Sequence, residues 1–144
     1  MVLRGRTLLA GTARGPVAAV APLSFWGGFD PDAGRVTDRS HPAFGQQLAG
    51  AVLVMSAGRG SSSSASVLAE ALRLGTGPAA LVLAEPDAIL LAGAAVAAEL
   101  YGHACPVLLL SPDDHGKLAG AGFAAVAAGP ERAVVRAEAG PPES

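Results

Sequence analysis

Four consecutive hydroxyls, Ser61-Ser62-Ser63-Ser64, directly follow Gly58-Arg59-Gly60. A serine hydroxyl acts as a base or nucleophile only where its ionised form is stabilised, and adjacent amides, a helix N-terminus and a guanidinium can each do that. Arg59 supplies the guanidinium. The apolar run up to Met55 predicts a strand, and apolar residues at 67, 68, 71, 72 and 74 predict a helix. The serines therefore lie where a strand hands over to a helix, whose first amides lack intrahelical acceptors and favour an anion. Three readings are open on these residues: a flexible loop with one serine capping the helix, an anion cradle, or a catalytic serine. The Lys-Ser/Thr ending of a phosphate-binding loop is missing, as is Gly-x-Ser-x-Gly, and His41, His103 and His115 lie far apart in sequence.

The elements that must position this tract divide the chain in two. Up to about Gln47, short segments are punctuated by glycine and proline: Arg6–Ala10, Val17–Ala21, Leu23–Phe25 and Val36-Thr37. This half is expected to be mostly β. From Leu48, apolar runs alternate with helical patterns: strand 48–55, helix 62–74, strand 79–84, helix 87–100, strand 106–110, helix 113–120, then strands 123–127 and 132–136. Such alternation predicts parallel strands with crossover helices, an α/β arrangement. Residues 1–136 form the expected domain, and 137–144, rich in Gly and Pro, are expected to be a disordered tail.

Composition narrows the function. The 144 residues fit one domain, and the net charge of -2, with both signs scattered, argues against nucleic acid and against an anionic membrane surface. No apolar stretch approaches the ~20 residues of a bilayer span. The first residues read as a strand interrupted by Arg4 and Arg6, so a cytoplasmic location is expected. Cys105 is the only cysteine, and no Cys/His spacing suits a metal, so the chain alone is expected to bind neither metal nor cofactor. Asp87 reads as the start of a helix.

Two further clusters bear on the serines. Pro22-Leu23-Ser24-Phe25-Trp26-Gly27-Gly28-Phe29-Asp30-Pro31 holds the only Trp and two of the four Phe. Ser24, Phe25, Trp26, Gly27 and Gly28 are candidates for a cleft or interface, while Phe25 and Trp26 equally suit core anchors. His41, before Pro42, is either a cleft residue or a hydrogen-bonded pin of a rigid turn.

In this order, followed by Gly34-Arg35-Val36, His41-Pro42, Gly45, Gly50-Ala51-Val52-Leu53-Val54, Gly58-Arg59-Gly60-Ser61-Ser62, Gly77-Pro78, Ala92-Gly93-Ala94 and Pro106-Val107, the motifs resemble the small, swivelling-domain component of the aconitase X family. The resemblance covers residues 5 to 110. It implies a three-layer β/β/α swivelling domain and a hydro-lyase site divided between two components. It also implies a large subunit that carries the iron–sulfur cluster and this chain as a separate small subunit that contributes a serine. The implied base is Ser61, directly after Gly-Arg-Gly, with Ser62 as the alternative; Arg59, Gly60, Ser62 and Ser63 are the implied substrate or oxyanion supports. The chain departs from those family members that carry a cysteine after this first serine, since Ser62 occupies that place. The implied substrate is a small hydroxy acid, cis-3-hydroxy-L-proline giving pyrroline-2-carboxylate, or else mevalonate 5-phosphate. The competing reading is a non-catalytic anion-binding or regulatory module on the same fold.

Overall fold

The computed structural model describes residues 1–139. Nine strands and four helices follow in the order β1 (Val2–Leu9), β2 (Gly11–Ala19), α1 (Phe25–Gly28), β3 (Phe29–Asp30), β4 (Arg35–Val36), β5 (Val52–Val54), α2 (Ser64–Leu74), β6 (Ala80–Leu83), α3 (Ala88–Tyr101), β7 (Val107–Leu109), α4 (Pro112–Ala119), β8 (Phe123–Ala128) and β9 (Arg132–Glu138). Seven strands close into a barrel in the order β1-β7-β6-β5-β2-β8-β9, and β3 and β4 form a separate two-stranded ribbon.

The unbroken apolar runs of β5, β6 and β7 are explained by burial on both faces, since alternate side chains serve two cores. Val52, Val54, Ala80, Val82 and Leu108 point into the barrel, where they meet Leu3, Leu118 of α4, and the inward residues Ala124, Val126, Val135 and Ala137 of β8 and β9. Leu53, Leu81, Leu83 and Val107 face the other way, onto Leu68, Ala71 and Leu72 of α2 and Leu90, Ala94 and Ala97 of α3. Helices, the near barrel wall and the far barrel wall make three layers, the β/β/α arrangement. No helix among the described residues is long and apolar enough to cross a membrane.

β5, β6 and β7 pair in parallel through the α2 and α3 crossovers, as the alternation predicts. β2 joins β5 in parallel on the other side, but the last two strands depart from the parallel reading. β8 runs antiparallel to β2 and to β9, and for the β8–β9 pair only Gly129-Pro130-Glu131 intervenes, too short for a crossover. β9 continues to Glu138, past the expected boundary at 136; of the expected tail, residues 140–144 lie outside the described residues.

The expected strand at Leu23–Phe25 is not one. Phe25 opens α1, a single turn distorted at Trp26 and Gly27, and its ring is fully buried 5.0 Å from that of Phe29. Pro22 lacks an N–H for a ladder and the Gly27-Gly28 pair follows at once, so the segment anchors an aromatic side chain instead of pairing. The expected strand 48–55 shrinks to Val52–Val54, since Leu48 and Ala51 are buried in a turn, where the Leu48 N–H donates to Gly34 and the Ala51 N–H to Leu48.

Candidate active site

The serine tract leaves the C-terminal end of β5 and enters α2 at Ser64, while the neighbouring β6 leads to Asp87 and α3. Carboxyl ends of parallel strands, flanked by helix N-termini, are where open α/β sheets place ligands. A cavity of about 90 Å³ lies there, lined by Gly58, Arg59, Gly60, Ser61 and Ser64 from one side and Asp87, Ile89 and Leu90 from the other.

The four serines separate by role. Ser61 lines the cavity, and its Oγ accepts the Ser63 backbone N–H at 3.1 Å. Its carbonyl accepts the Ser64 N–H at 3.0 Å, so the turn winds directly into α2. Ser62 and Ser63 are exposed and lie off the cavity lining, and Ser63 occupies the cap position of α2 without a side-chain cap bond. Ser64 is buried, and its Oγ accepts the Trp26 N–H at 3.1 Å. The amides of Gly60, Ser61 and Ser62 have no acceptor among the described residues. A hydroxyl that already receives one amide, beside others free to donate, can hold negative charge.

Loop shape is set from the α1 side. The Arg59 N–H donates to the Leu23 carbonyl at 3.2 Å, and Ser24, whose Oγ donates to the Trp26 carbonyl at 2.8 Å, presses against Gly60. Gly60 has φ +97°, and a Cβ there would lie 2.3 Å from the Ser24 Oγ. Only glycine satisfies both the backbone angle and the close approach.

The Arg59 guanidinium has no carboxylate at ion-pair distance among the described residues. Asp38 is held below the usual carboxylate range chiefly by the Ser40 hydroxyl, donating at 2.6 Å, and the Ser40 N–H at 2.9 Å, with smaller contributions from His41 and Arg59. Arg59 is exposed, and its charge stays available to a ligand.

The other candidates scatter. Trp26 is 59% exposed beside the loop, Ser24 is half-buried against Gly60, and Gly27 is open to solvent. Phe25 is core, and Gly28 is buried against Leu23, so neither offers a surface to a cleft. His41 is buried, its Nδ1 accepting the Ala43 N–H at 3.0 Å and its Nε2 lying 2.9 Å from the Ala21 carbonyl. Those partners set the proton on Nε2 and use both ring nitrogens, so His41 pins its turn and lies off the cavity. The lining residues that sequence reasoning left out of the site are Gly58, Ser64, Asp87, Ile89 and Leu90; Asp87 was legible only as a helix start.

An iron–sulfur cluster needs several thiolates, and this chain does not fit one. Cys105 is its single cysteine, and burial pushes that thiol from its ordinary 9.0 up to about 12. Among the described residues no three His, Cys, Asp or Glu side chains group as a metal site. The folded state favours the protonated thiol, so this contribution to stability is complete below about pH 9 and is lost as pH rises toward 12. Native chain is accordingly expected to resist iodoacetamide at about pH 8, and urea-unfolded chain to take up one equivalent, as read by mass spectrometry.

A family model described as the aconitase X swivel domain matches residues 2–135. The chain is 49% identical over 106 residues to a cis-3-hydroxy-L-proline dehydratase of Pseudomonas aeruginosa, a match covering 73% of this chain and 18% of that protein. A second such dehydratase, from Hypocrea jecorina, is 41% identical over 88% of this chain and 21% of its own length. The chain therefore spans about a fifth of the length of these relatives. The phosphomevalonate dehydratase small subunit of Pyrococcus furiosus is 38% identical over 67% of this chain and 73% of that subunit. The crystal structure of aconitase X from Thermococcus kodakaraensis, in its holo-form, superposes with a TM-score of 0.77 at 29% identity, covering 95% of this chain and 98% of that one.

Proposed function

The chain belongs to the aconitase X swivel-domain family, and from that premise we propose that it is the swivel half of a dehydratase, lending Ser61 to a site completed by a larger partner subunit. The observation that carries this reading is the cavity itself. It presents an amide-supported hydroxyl and a free guanidinium, yet at about 90 Å³ it is far below the roughly 300 Å³ at which ligand pockets begin. A second surface must close over it. The iron–sulfur cluster belongs, in this reading, to that larger subunit.

The chemistry this chain contributes is proton removal. Ser61, ionised and held by the Ser63 N–H and the neighbouring amides, takes the proton from the carbon beside the substrate carboxylate. The C–H electrons become the carbon–carbon double bond, the C–O bond on the next carbon breaks with its electron pair on oxygen, and the departing hydroxide takes a proton from solvent to become water, while Ser61 returns the proton it took to solvent. Arg59 binds the carboxylate, which fixes the proton in line with Ser61. The substrate is a small hydroxy acid, with cis-3-hydroxy-L-proline favoured because two dehydratases of that compound match this chain at 49% identity over 106 residues and 41% over 127. Mevalonate 5-phosphate is the second reading, favoured by free-standing small subunits of which this chain covers about three-quarters. A cytoplasmic location goes with either.

Co-expression with the larger aconitase X component, followed by assay on both compounds, tests the proposal. Dehydration of cis-3-hydroxy-L-proline that requires both polypeptides is the expected result; turnover by neither, or by this chain alone, overturns it. Trp26, exposed beside the serine loop that its N–H joins at Ser64, belongs in this reading to the closing surface. Trp26→Ala is expected to leave thermal stability within about 0.5 kcal/mol and to weaken association with the larger subunit by at least about tenfold, measured by titration calorimetry.

A further inference from the structure

We propose that Asp87 is a positioning residue that ties the serine loop to the start of α3, a role resting on the reading of Ser61 given above. One carboxylate makes three bonds. Its Oδ1 accepts the N–H groups of Ile89 at 3.1 Å and Leu90 at 3.0 Å, which caps α3. Its Oδ2 accepts the Gly58 N–H at 3.0 Å, across 29 positions of sequence.

Capping needs only one oxygen. On α4 the Ser111 hydroxyl does it alone, accepting the Asp114 N–H at 3.2 Å. The second oxygen of Asp87 is surplus to the helix and is spent on the loop. Gly58 sits close against it, since a Cβ there would lie 2.9 Å from the Asp87 Oδ2 and 2.9 Å from the Leu90 Cδ1. Ser61 follows three positions later. With the Arg59 N–H held by Leu23 and Gly60 pressed on Ser24, the Gly58 bond is the tether on the α3 side, so the loop is gripped from both flanks. A hydroxyl displaced by an ångström loses alignment with the proton it must reach, which costs up to about a hundredfold in rate.

Asp87→Ser separates the two roles, because serine also caps helices but cannot span to Gly58. In the two-subunit complex the variant is expected to keep its thermal midpoint within about 3 °C, to keep KM within about threefold and to lose at least about tenfold in kcat. In the full 144-residue chain, the hydrogen-bonded amides of Gly58 and Arg59 are expected to exchange with solvent at least about tenfold faster while α3 amides keep their protection. Wild-type kcat and unchanged loop exchange would reduce Asp87 to a cap and overturn the proposal. If Asp87→Ser does not fold, Asp87→Asn is read in its place; it keeps the size of the side chain and removes one of two acceptors, so the same loop exchange and kcat decide. A wild-type complex that turns over neither substrate defeats the catalytic reading of Ser61, and loop exchange in the chain alone then still decides whether Asp87 holds the loop.

Discussion

Ser61→Ala is expected to lower kcat of the two-subunit dehydratase by about 10²- to 10⁴-fold, the range lost when a positioned proton-transfer group is deleted. Ser61 is exposed, and its Oγ accepts a single N–H, from Ser63, so folding should lose no more than about 1.5 kcal/mol. Gel filtration of the variant complex should show normal assembly, which separates lost chemistry from lost structure. The neighbours act as controls. Ser62→Ala removes a hydroxyl off the cavity lining and should keep kcat within about twofold, whereas Ser64→Ala strips the Trp26 N–H of its acceptor and should act on stability. If Ser62→Ala proves the damaging change, the base is Ser62.

Gly60→Ala is expected to damage the same site through the backbone. The φ of +97° strains any residue with a Cβ, at about 1–3 kcal/mol, and the new methyl would lie 2.3 Å from the Ser24 Oγ and 2.9 Å from its Cβ. The loop must move away from α1, carrying Ser61 with it. The expected outcome is a fall in thermal midpoint of several degrees, with kcat/KM reduced at least about tenfold. Adding Ser24→Gly clears the contact and leaves the backbone strain, so activity should recover in part while the midpoint stays below wild type. Full recovery of both would show that the contact alone mattered.

Much of this arrangement was legible from residue types. The unbroken apolar runs of β5, β6 and β7 announce strands covered on both faces, and the two cores supply the covers. The junction of strand, glycine turn and serines was readable because it depends on local pattern. What escaped depends on distance. The serine run carries no register of its own, and only Trp26, 38 positions away from Ser64, and the Ser63 amide distinguish one hydroxyl from another. Leu23-Ser24-Phe25 alternates apolar and polar residues like a strand, but the segment turns at Trp26 and Gly27 and the Phe25 ring enters the core shared with Phe29 and α2. His41 could be a ligand or a pin until Ala21 and Ala43 are seen to occupy both nitrogens. Asp87 looks like any helix cap until its second oxygen is followed to Gly58.

The pairing of the first strand with the last has a consequence for how this unit can be wired to other polypeptides. β1 lies beside β9 with Val2 opposite Arg136, and Met1 and Ala137 exchange backbone hydrogen bonds of 2.9 and 3.3 Å. The register of Arg6 on Leu109 carries the start of β1 past the C-terminal end of β7, at the end of the barrel from which the serine loop emerges. Chain can therefore enter and leave through a single doorway. Splicing the unit to a longer polypeptide requires no linker wrapped around the barrel, and a short flexible tether would hold the serine loop near its target at an effective concentration on the order of millimolar. For the proposed two-subunit site, gene fusion and gene fission would present the same loop to the same surface, the tether changing how often the halves meet without changing what they do on meeting.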